Sequence, residues 1–405
     1  MSRITPKGWA AVVQSDDLSV ALDILGEQVR EWALPARGAE LAVLFAGSAY
    51  ASAYPELLST VRQLTKASVI IGCSGQGVIG KDSEIEGDPA LSLLALSLPG
   101  AYLKALHINQ SDLENCRSVE DWRQLTGASE EAVNNWLLFV DPFTLDAEGM
   151  LAFFSAAYPA APLVGGLASG ELRLRKTYLF LDEDLYDSGA VALALGGDYA
   201  IRTVVSQGCM PIGQAWTITS ANGNCIESIA QRPALEVLVE TLQGLSPELQ
   251  ERAGRNLLVG FAMNEYKDEF RRGDFLIRNL LAIDKETGAL VVGTLPRVGQ
   301  TLQFQLRDPD AADEDLRELL ARTKLDLNGE KALGAILCSC NGRGVGLFGV
   351  PDHDARVIQQ MLGLMPLAGF FCNGEIGPVG QQNFLHGFTA SLGLIVRAGQ
   401  RSRAS

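Results

Sequence analysis

Cys372, Asn373 and Glu375 sit together in the densest polar and glycine-rich stretch of the chain, residues 372–380. Asn373 brings an amide that both donates and accepts, Glu375 brings a charge, and the glycines let backbone approach a small molecule closely. The stretch follows an apolar run, 367–371, that reads as a strand. Open α/β sheets place ligands at such strand ends. A tight turn carrying exposed polar groups accounts for the same pattern equally well.

Cys340, Asn341 and Arg343 form a second group, at the head of the glycine-rich loop 341–349. A guanidinium can hold an anion by two parallel hydrogen bonds, or lower the pKa of a nearby thiol. Cys73 stands at another strand end, before Ser74-Gly75, where a nucleophile can be displayed. No cation or helix start is evident beside it, and a buried thiol more often acts as a small hydrophobe.

Two stretches match the dinucleotide spacing G-x-G-x-x-G. The first, 75–80, is followed by Lys81, but Asp82 stands where a P-loop needs Ser or Thr for magnesium. Residues 81–86 are acidic and strand-like, whereas both phosphate motifs need a helix N-terminus. Nucleotide binding is not expected there. The second match, 344–349, lies between a strand and a helix, with Pro351 intervening. Arg343 and loop N–H groups can cradle an anion there, and a flexible loop explains the sequence as well.

The three histidines, His107, His353 and His386, make no metal motif with the seven cysteines, and no metal or cofactor is expected. There is no C-x-x-C pair and the cysteine count is odd, so thiols are expected reduced. A Ser-His-Asp arrangement through His386 lacks the G-x-S-x-G elbow.

The elements that position these groups recur. Apolar strand-like runs at 41–46, 136–140 and 335–338 each lead through a loop to a helix, at 55–64, 147–157 and 352–364. A second strand follows each helix and ends in a turn: Cys73-Ser74-Gly75, Leu167-Ala168-Ser169-Gly170 and Cys372-Asn373-Gly374. After a polar gap comes another apolar strand, at 90–98, 188–195 and 386–395. Strand–helix–strand units favour parallel neighbours, and the following strand can add antiparallel. The fold class expected is α/β (mixed α+β): mixed sheets covered by helices, in two domains. The boundary is placed at 204/205, giving domains 1–204 and 205–397 and a polar tail, 398–405. A helix is expected from Arg232-Pro233 to Leu242, and 246–255 reads as a connection.

The whole chain has 405 residues, 47% hydrophobic and 20% charged, enough for a large core. Its net charge of −15, without a basic cluster, argues against nucleic acid and anionic membrane surfaces. No apolar run reaches membrane-spanning length and 1–11 lacks a signal-peptide core, which points to the cytoplasm.

The stretch 369–378, with 383–390 after it, resembles the C-terminal signature of FIST domain proteins. Arg278-Asn279-Leu280-Leu281-Ala282-Ile283-Asp284 and Cys340-Asn341-Gly342-Arg343-Gly344 are similar to that family's C-terminal domain. Ile71-Gly72-Cys73-Ser74 resembles its N-terminal domain. The resemblance implies paired FIST N- and C-terminal domains and an intracellular sensory protein for a small ligand, amino acids being the favoured guess. No kinase, receiver, methyl-acceptor or F-box segment is recognisable, so output is expected through a partner protein or a homo-oligomer.

The ligand-binding candidates are Cys73, Ser74, Cys340, Asn341, Arg343, Cys372, Asn373, Glu375 and His386. An amino acid would set its carboxylate on Arg343 and its ammonium on Glu375. Two alternatives stay open: a thiol-dependent hydrolase or transferase using Cys73 or Cys340, and an interaction scaffold with no ligand.

Overall fold

The computed structural model describes residues 5–32, 38–171, 174–267 and 269–399. By their contacts they fall into two units. The first comprises Met1–Val205, Arg317–Leu385 and Thr389–Ser405; the second comprises Ser206–Leu316 and His386–Phe388. The expected cut at 204/205 lies beside the start of the second unit, and the chain returns to the first at Arg317. Of the expected polar tail, residues from 400 onward lie outside those described.

The first unit contains three copies of one pattern. Copy one runs through strand Leu41–Gly47, helix Tyr54–Thr65, strand Val69–Gly75, hairpin Gly77–Gly80 and Ser83–Glu86, and closing strand Ala90–Ser97. Copy two runs through Val133–Val140, helix Ala147–Ala157, Leu163–Leu167, hairpin Leu179–Leu181 and Asp184–Tyr186, and Ala190–Gly197. Copy three runs through Gly334–Cys340, helix His353–Leu362, Leu367–Cys372, hairpin Glu375–Val379 and Gln382–His386, and Thr389–Arg397.

In every copy the first two strands pair parallel. The closing strand then pairs antiparallel with the first. Leu41–Gly47 is buried at every position, as expected of a strand covered on both faces. The helices start where the sequence supplies caps: Pro55 lies in the first turn of one, and the Asp146 side chain accepts the Gly149 N–H at the start of another.

The polar gaps of the sequence hold the hairpins, and each hairpin is given away. That of copy one extends the sheet of copy three, with Phe370 opposite Val78. That of copy two extends the sheet of copy one, with Cys73 opposite Leu179. That of copy three extends the sheet of copy two, with Gly166 opposite Glu375. Three six-stranded mixed sheets result.

A glycine recurs at one place in each second strand. A Cβ on Gly72, Gly165 or Gly369 would lie 1.7, 1.8 or 2.1 Å from the carbonyl oxygen of Leu44, Leu138 or Leu337 on the parallel neighbour. No side chain fits there. One residue further on, inward-facing side chains meet in a shared core. The rings of Phe45, Phe139 and Phe370 pack mutually, with centroids 4.8 to 5.8 Å apart. Burying each ring stabilises by roughly 1.5–3 kcal/mol.

The second unit is a seven-stranded antiparallel sheet. Its first strand, Cys209–Asn222, also pairs with Cys225–Ile229 and so closes the row. The expected helix after Arg232-Pro233 is present as Ala234–Gln243. Residues read as a connection form a helix instead, Pro247–Asn256. Ser246 caps it by accepting the Leu249 N–H, Pro247 occupies its first turn, and Glu248 suits its positive end.

Candidate functional site

The C-terminal ends of the parallel strands in the first unit carry a continuous hydrogen-bonded network. Ser74 Oγ accepts the Tyr178 N–H at 2.9 Å and donates to the Ser169 carbonyl at 2.8 Å. Ser169 Oγ accepts the Gln76 N–H at 2.7 Å and donates to the Phe371 carbonyl. Asn373 donates from Nδ2 to the Ala168 carbonyl at 2.9 Å. Asn341 donates from Nδ2 to Asn373 Oδ1 at 2.8 Å, and its N–H donates to the Cys372 carbonyl. The two amides fix each other's orientation, because Asn373 Nδ2 already has an acceptor.

All three copies contribute. Ser169 stands in copy two four residues after its recurring glycine, as Asn373 does in copy three and Gln76 in copy one. Asn373 and Gln76 are exposed, Cys340 and Asn341 are half-buried, and Ser74 and Ser169 are fully buried. Asn341 Oδ1 is itself buried, and among the described residues it has no hydrogen-bond partner.

Arg343 is turned inward and fully buried. Its Nε and Nη2 donate to the two carboxylate oxygens of Asp354 at 2.7 and 2.9 Å. Its guanidinium lies 5.2 Å from the Phe348 ring, which stacks on His353, and His353 Nδ1 lies 3.0 Å from Asp354 Oδ1. Burial opposes ionisation of Asp354, but Arg343 and His353 outweigh it and hold the carboxyl well below its usual range. Glu84 shares the cluster: burial, and then the Asp354 charge, push its carboxyl up to about 8. Its Oε1 accepts the Ala355 N–H at 2.8 Å.

The loop 344–349 does bring N–H groups to an anion, but the anion is internal. The Val345 N–H donates to Glu86 Oε1 at 2.8 Å, and the helix there, Val345–Phe348, has a single turn. The other G-x-G-x-x-G match, 75–80, runs from a strand end into a hairpin strand, with no helix.

Glu375 is fully buried. Its Oε2 accepts the Thr389 N–H at 3.0 Å, and Cys372 Sγ lies 3.3 Å from its Oε1. Cys73 belongs to the core, and burial pushes its thiol well above the usual range. That is opposite to what a thiolate nucleophile needs. His386 is buried and counts with the second unit. The structure thus brings Cys340, Asn341, Cys372 and Asn373 side by side and joins Ser74 to them through Ser169. Arg343, Glu375 and Cys73 lie beneath, already engaged or sealed.

Sequence reasoning passed over Ser169, Gln76, Asp354 and Glu84. Ser169-Gly170 repeats the place of Asn373-Gly374 and was findable by aligning the copies. Two clefts lie elsewhere. One, of about 390 Å³, is lined by Pro159, Ala160, Pro162, Pro378, Gly380, Gln381 and Asn383 in the first unit. The other, of about 680 Å³ in the second unit, includes Arg232, Val239, Glu240, Lys285 and Thr287. Arg232 there already pairs with Glu240 at 2.6 Å and Glu236 at 3.9 Å. Among the described residues no group of three or more His, Cys, Asp or Glu is arranged to hold a metal ion, and no helix is long and apolar enough to cross a membrane.

The FIST N domain matches residues 40–232 of this chain and the FIST C domain residues 234–378. The protein belongs to the FIST family, whose domains are in general small-ligand sensory domains. The change from N to C domain, near residue 233, falls inside the second unit. An uncharacterized protein of Mycobacterium tuberculosis is 39% identical over 356 residues, covering 88% of this chain and 91% of the relative. An uncharacterized protein of Mycobacterium bovis is 36% identical over 389 residues, covering 96% and 98%. Among solved structures, a cyanuric acid hydrolase from A. caulinodans covers 98% of this chain and 100% of its own, with a TM-score of 0.33 and 10% identity. A score that low carries neither fold nor activity across.

Proposed function

We propose that this protein is a cytoplasmic sensor whose small ligand is received by the amides at the strand ends of the first unit, chiefly Asn341 and Asn373. One observation carries the reading. Asn341 Oδ1 is buried without a partner among the described residues, beside the exposed Asn373. An orphaned buried acceptor costs roughly 1–3 kcal/mol, which a ligand donor placed against it recovers.

The same geometry selects the ligand's chemistry. An amino acid would need Arg343 and Glu375 as a charged pair, and both already have internal partners. The groups left at the strand ends are the neutral amides of Asn341 and Asn373, which bond to each other and leave Asn341 Oδ1 as the open acceptor. They suit an uncharged polar molecule with an amide-like edge. The second-unit cleft is larger, but Arg232 and Glu240 satisfy each other there. Output from such a sensor passes to a partner protein or to a second copy of the chain.

The thiol-enzyme alternative loses Cys73 to burial. The test is a nitrogen–proton correlation spectrum of the full chain, titrated with a library of neutral amides, ureas and amino acids. The expected hit moves the side-chain NH₂ signals of Asn341 and Asn373, and Asn373→Ala weakens it roughly tenfold or more. A hit that shifts only second-unit signals, or no hit with any compound, overturns the reading.

A further inference from the structure

Cys340 and Cys372 are directly opposed residues on the parallel strands Gly334–Cys340 and Leu367–Cys372. Opposed residues of adjacent strands project to the same face, and adjacent strands run about 4.8 Å apart. That spacing lies inside the range of roughly 4.4–6.8 Å over which two Cα positions accept a disulfide, near its short end. Both residues are thiols in this structure.

Their surroundings differ in a useful way. Cys340 is half-buried, so a small oxidant can reach it, whereas Cys372 is fully buried. Burial, and then the Glu375 charge, push the Cys372 thiol well above the usual range, so unlike Cys73 it attacks only as a base beside it takes its proton, and Glu375 Oε1 lies 3.3 Å from its Sγ. Glu375 is kept in place by the Thr389 N–H on its other oxygen. Cys73 and Cys338 are both sealed in the core and lack such an entry.

We propose that Cys340 and Cys372 form a peroxide-responsive dithiol that closes to a disulfide beneath the strand-end amides. The Cys340 sulfur attacks hydrogen peroxide; the O–O bond breaks, water leaves, and Cys340 becomes a sulfenic acid. Cys372 passes its proton to Glu375, and its sulfur attacks Sγ of Cys340. The S–S bond forms, the S–O bond breaks, and the departing hydroxide takes the proton from Glu375 as water. In sum, two thiols and one peroxide give one disulfide and two waters. Short strained disulfides are the readily reduced ones, so the bond is reversible by added thiol. Asn341 and Asn373 are the next residues after the two sulfurs, and closing the bond shifts the amides they carry. The thiol chemistry stands whether or not a ligand binds those amides.

The test uses the full chain treated with hydrogen peroxide, blocked with N-ethylmaleimide in urea and digested with trypsin without reductant. Reactive thiols should fall from seven to five. A cross-linked pair should join peptide 332–343 to the peptide containing Cys372, with fragmentation assigning the link to Cys340 and not Cys338. Dithiothreitol should reverse it. Cys372→Ala should lose the link and leave Cys340 trappable by dimedone as sulfenic acid. Should that variant not fold, a dimedone time course on the native chain reads the same intermediate, whose label should decline as the cross-link grows. Seven alkylatable thiols after peroxide overturn the proposal. So does a link between any other pair, or Cys340 oxidised to sulfinic acid while Cys372 stays alkylatable.

Discussion

Asn341 and Asn373, thirty-two positions apart in sequence, are joined by a side-chain hydrogen bond of 2.8 Å across the ends of two parallel strands. The bond ties the loop 341–349 to the turn after Cys372. It also leaves Asn341 Oδ1 without an acceptor's usual partner among the described residues.

Replacing Asn373 by Ala removes the exposed half of this pair. Folding stability should fall by about 1–3 kcal/mol, the net worth of the two side-chain hydrogen bonds that Asn373 makes. Ligand affinity should fall roughly tenfold or more, since 1.4 kcal/mol is a factor of ten. Urea unfolding and calorimetric titration separate the two effects. A large loss of stability with unchanged affinity would place Asn373 in the scaffold alone.

Asp354→Ala leaves the Arg343 charge buried without its carboxylate. Breaking such a pair costs roughly 3–5 kcal/mol, whereas replacing both partners by apolar residues of similar volume is often close to neutral. The double variant Arg343→Met with Asp354→Leu should therefore unfold at a higher urea midpoint than Asp354→Ala. Equal midpoints for Asp354→Ala and the native chain would show that the pair is not desolvated.

Glu84 gives a pH signature. Its folded-state pKa is raised to about 8 from the model-compound value of 4.5. The protonated form is therefore favoured by folding. Its contribution is fully present below about pH 4.5 and is lost as pH rises through about 8. Asp354 is shifted the other way, and its contribution is lost only under acid conditions, below the usual Asp range. Glu84→Gln, which keeps a neutral side chain, should flatten the fall in stability between these two pH values. Parallel stability–pH curves for the two proteins would remove Glu84 as the cause.

Two glycine substitutions should act in opposite directions. Gly72→Ala would place a methyl 1.7 Å from the Leu44 carbonyl oxygen, so the strands must separate and the protein should fail to fold. Gly254→Ala, in the helix Pro247–Asn256, meets nothing within 4 Å and should stabilise by about 0.5–1 kcal/mol. Soluble expression and thermal unfolding read both.

The three-copy pattern was legible because each copy carries a fully apolar strand, such as Leu41–Gly47, and a glycine turn after its second strand. The strand-end position of Cys340, Asn341, Cys372 and Asn373 followed from the same signals. What escaped was pairing between distant segments. Val78 opposite Phe370 is a contact no local pattern encodes. Arg343 read as a ligand-binding cation because its partner, Asp354, lies beyond a loop and at the start of a helix. Glu375 read as a ligand-binding charge because its neighbours are glycines and Asn373, yet it is fully buried in a strand enclosed by the pairing it joins. The helix Pro247–Asn256 was missed because its polar composition hides the capping signal of Ser246 and Pro247.

The circular donation of hairpins means that neighbours along the chain are not the natural pieces of the first unit. A fragment ending after copy two would leave the edge of Leu163–Leu167 uncovered, and its own 77–86 ribbon would have no sheet to join. Bare edges of that kind recruit other chains. The N-terminal FIST half made alone should thus cling to itself or to the missing half supplied separately, and the two halves mixed should rescue each other's solubility.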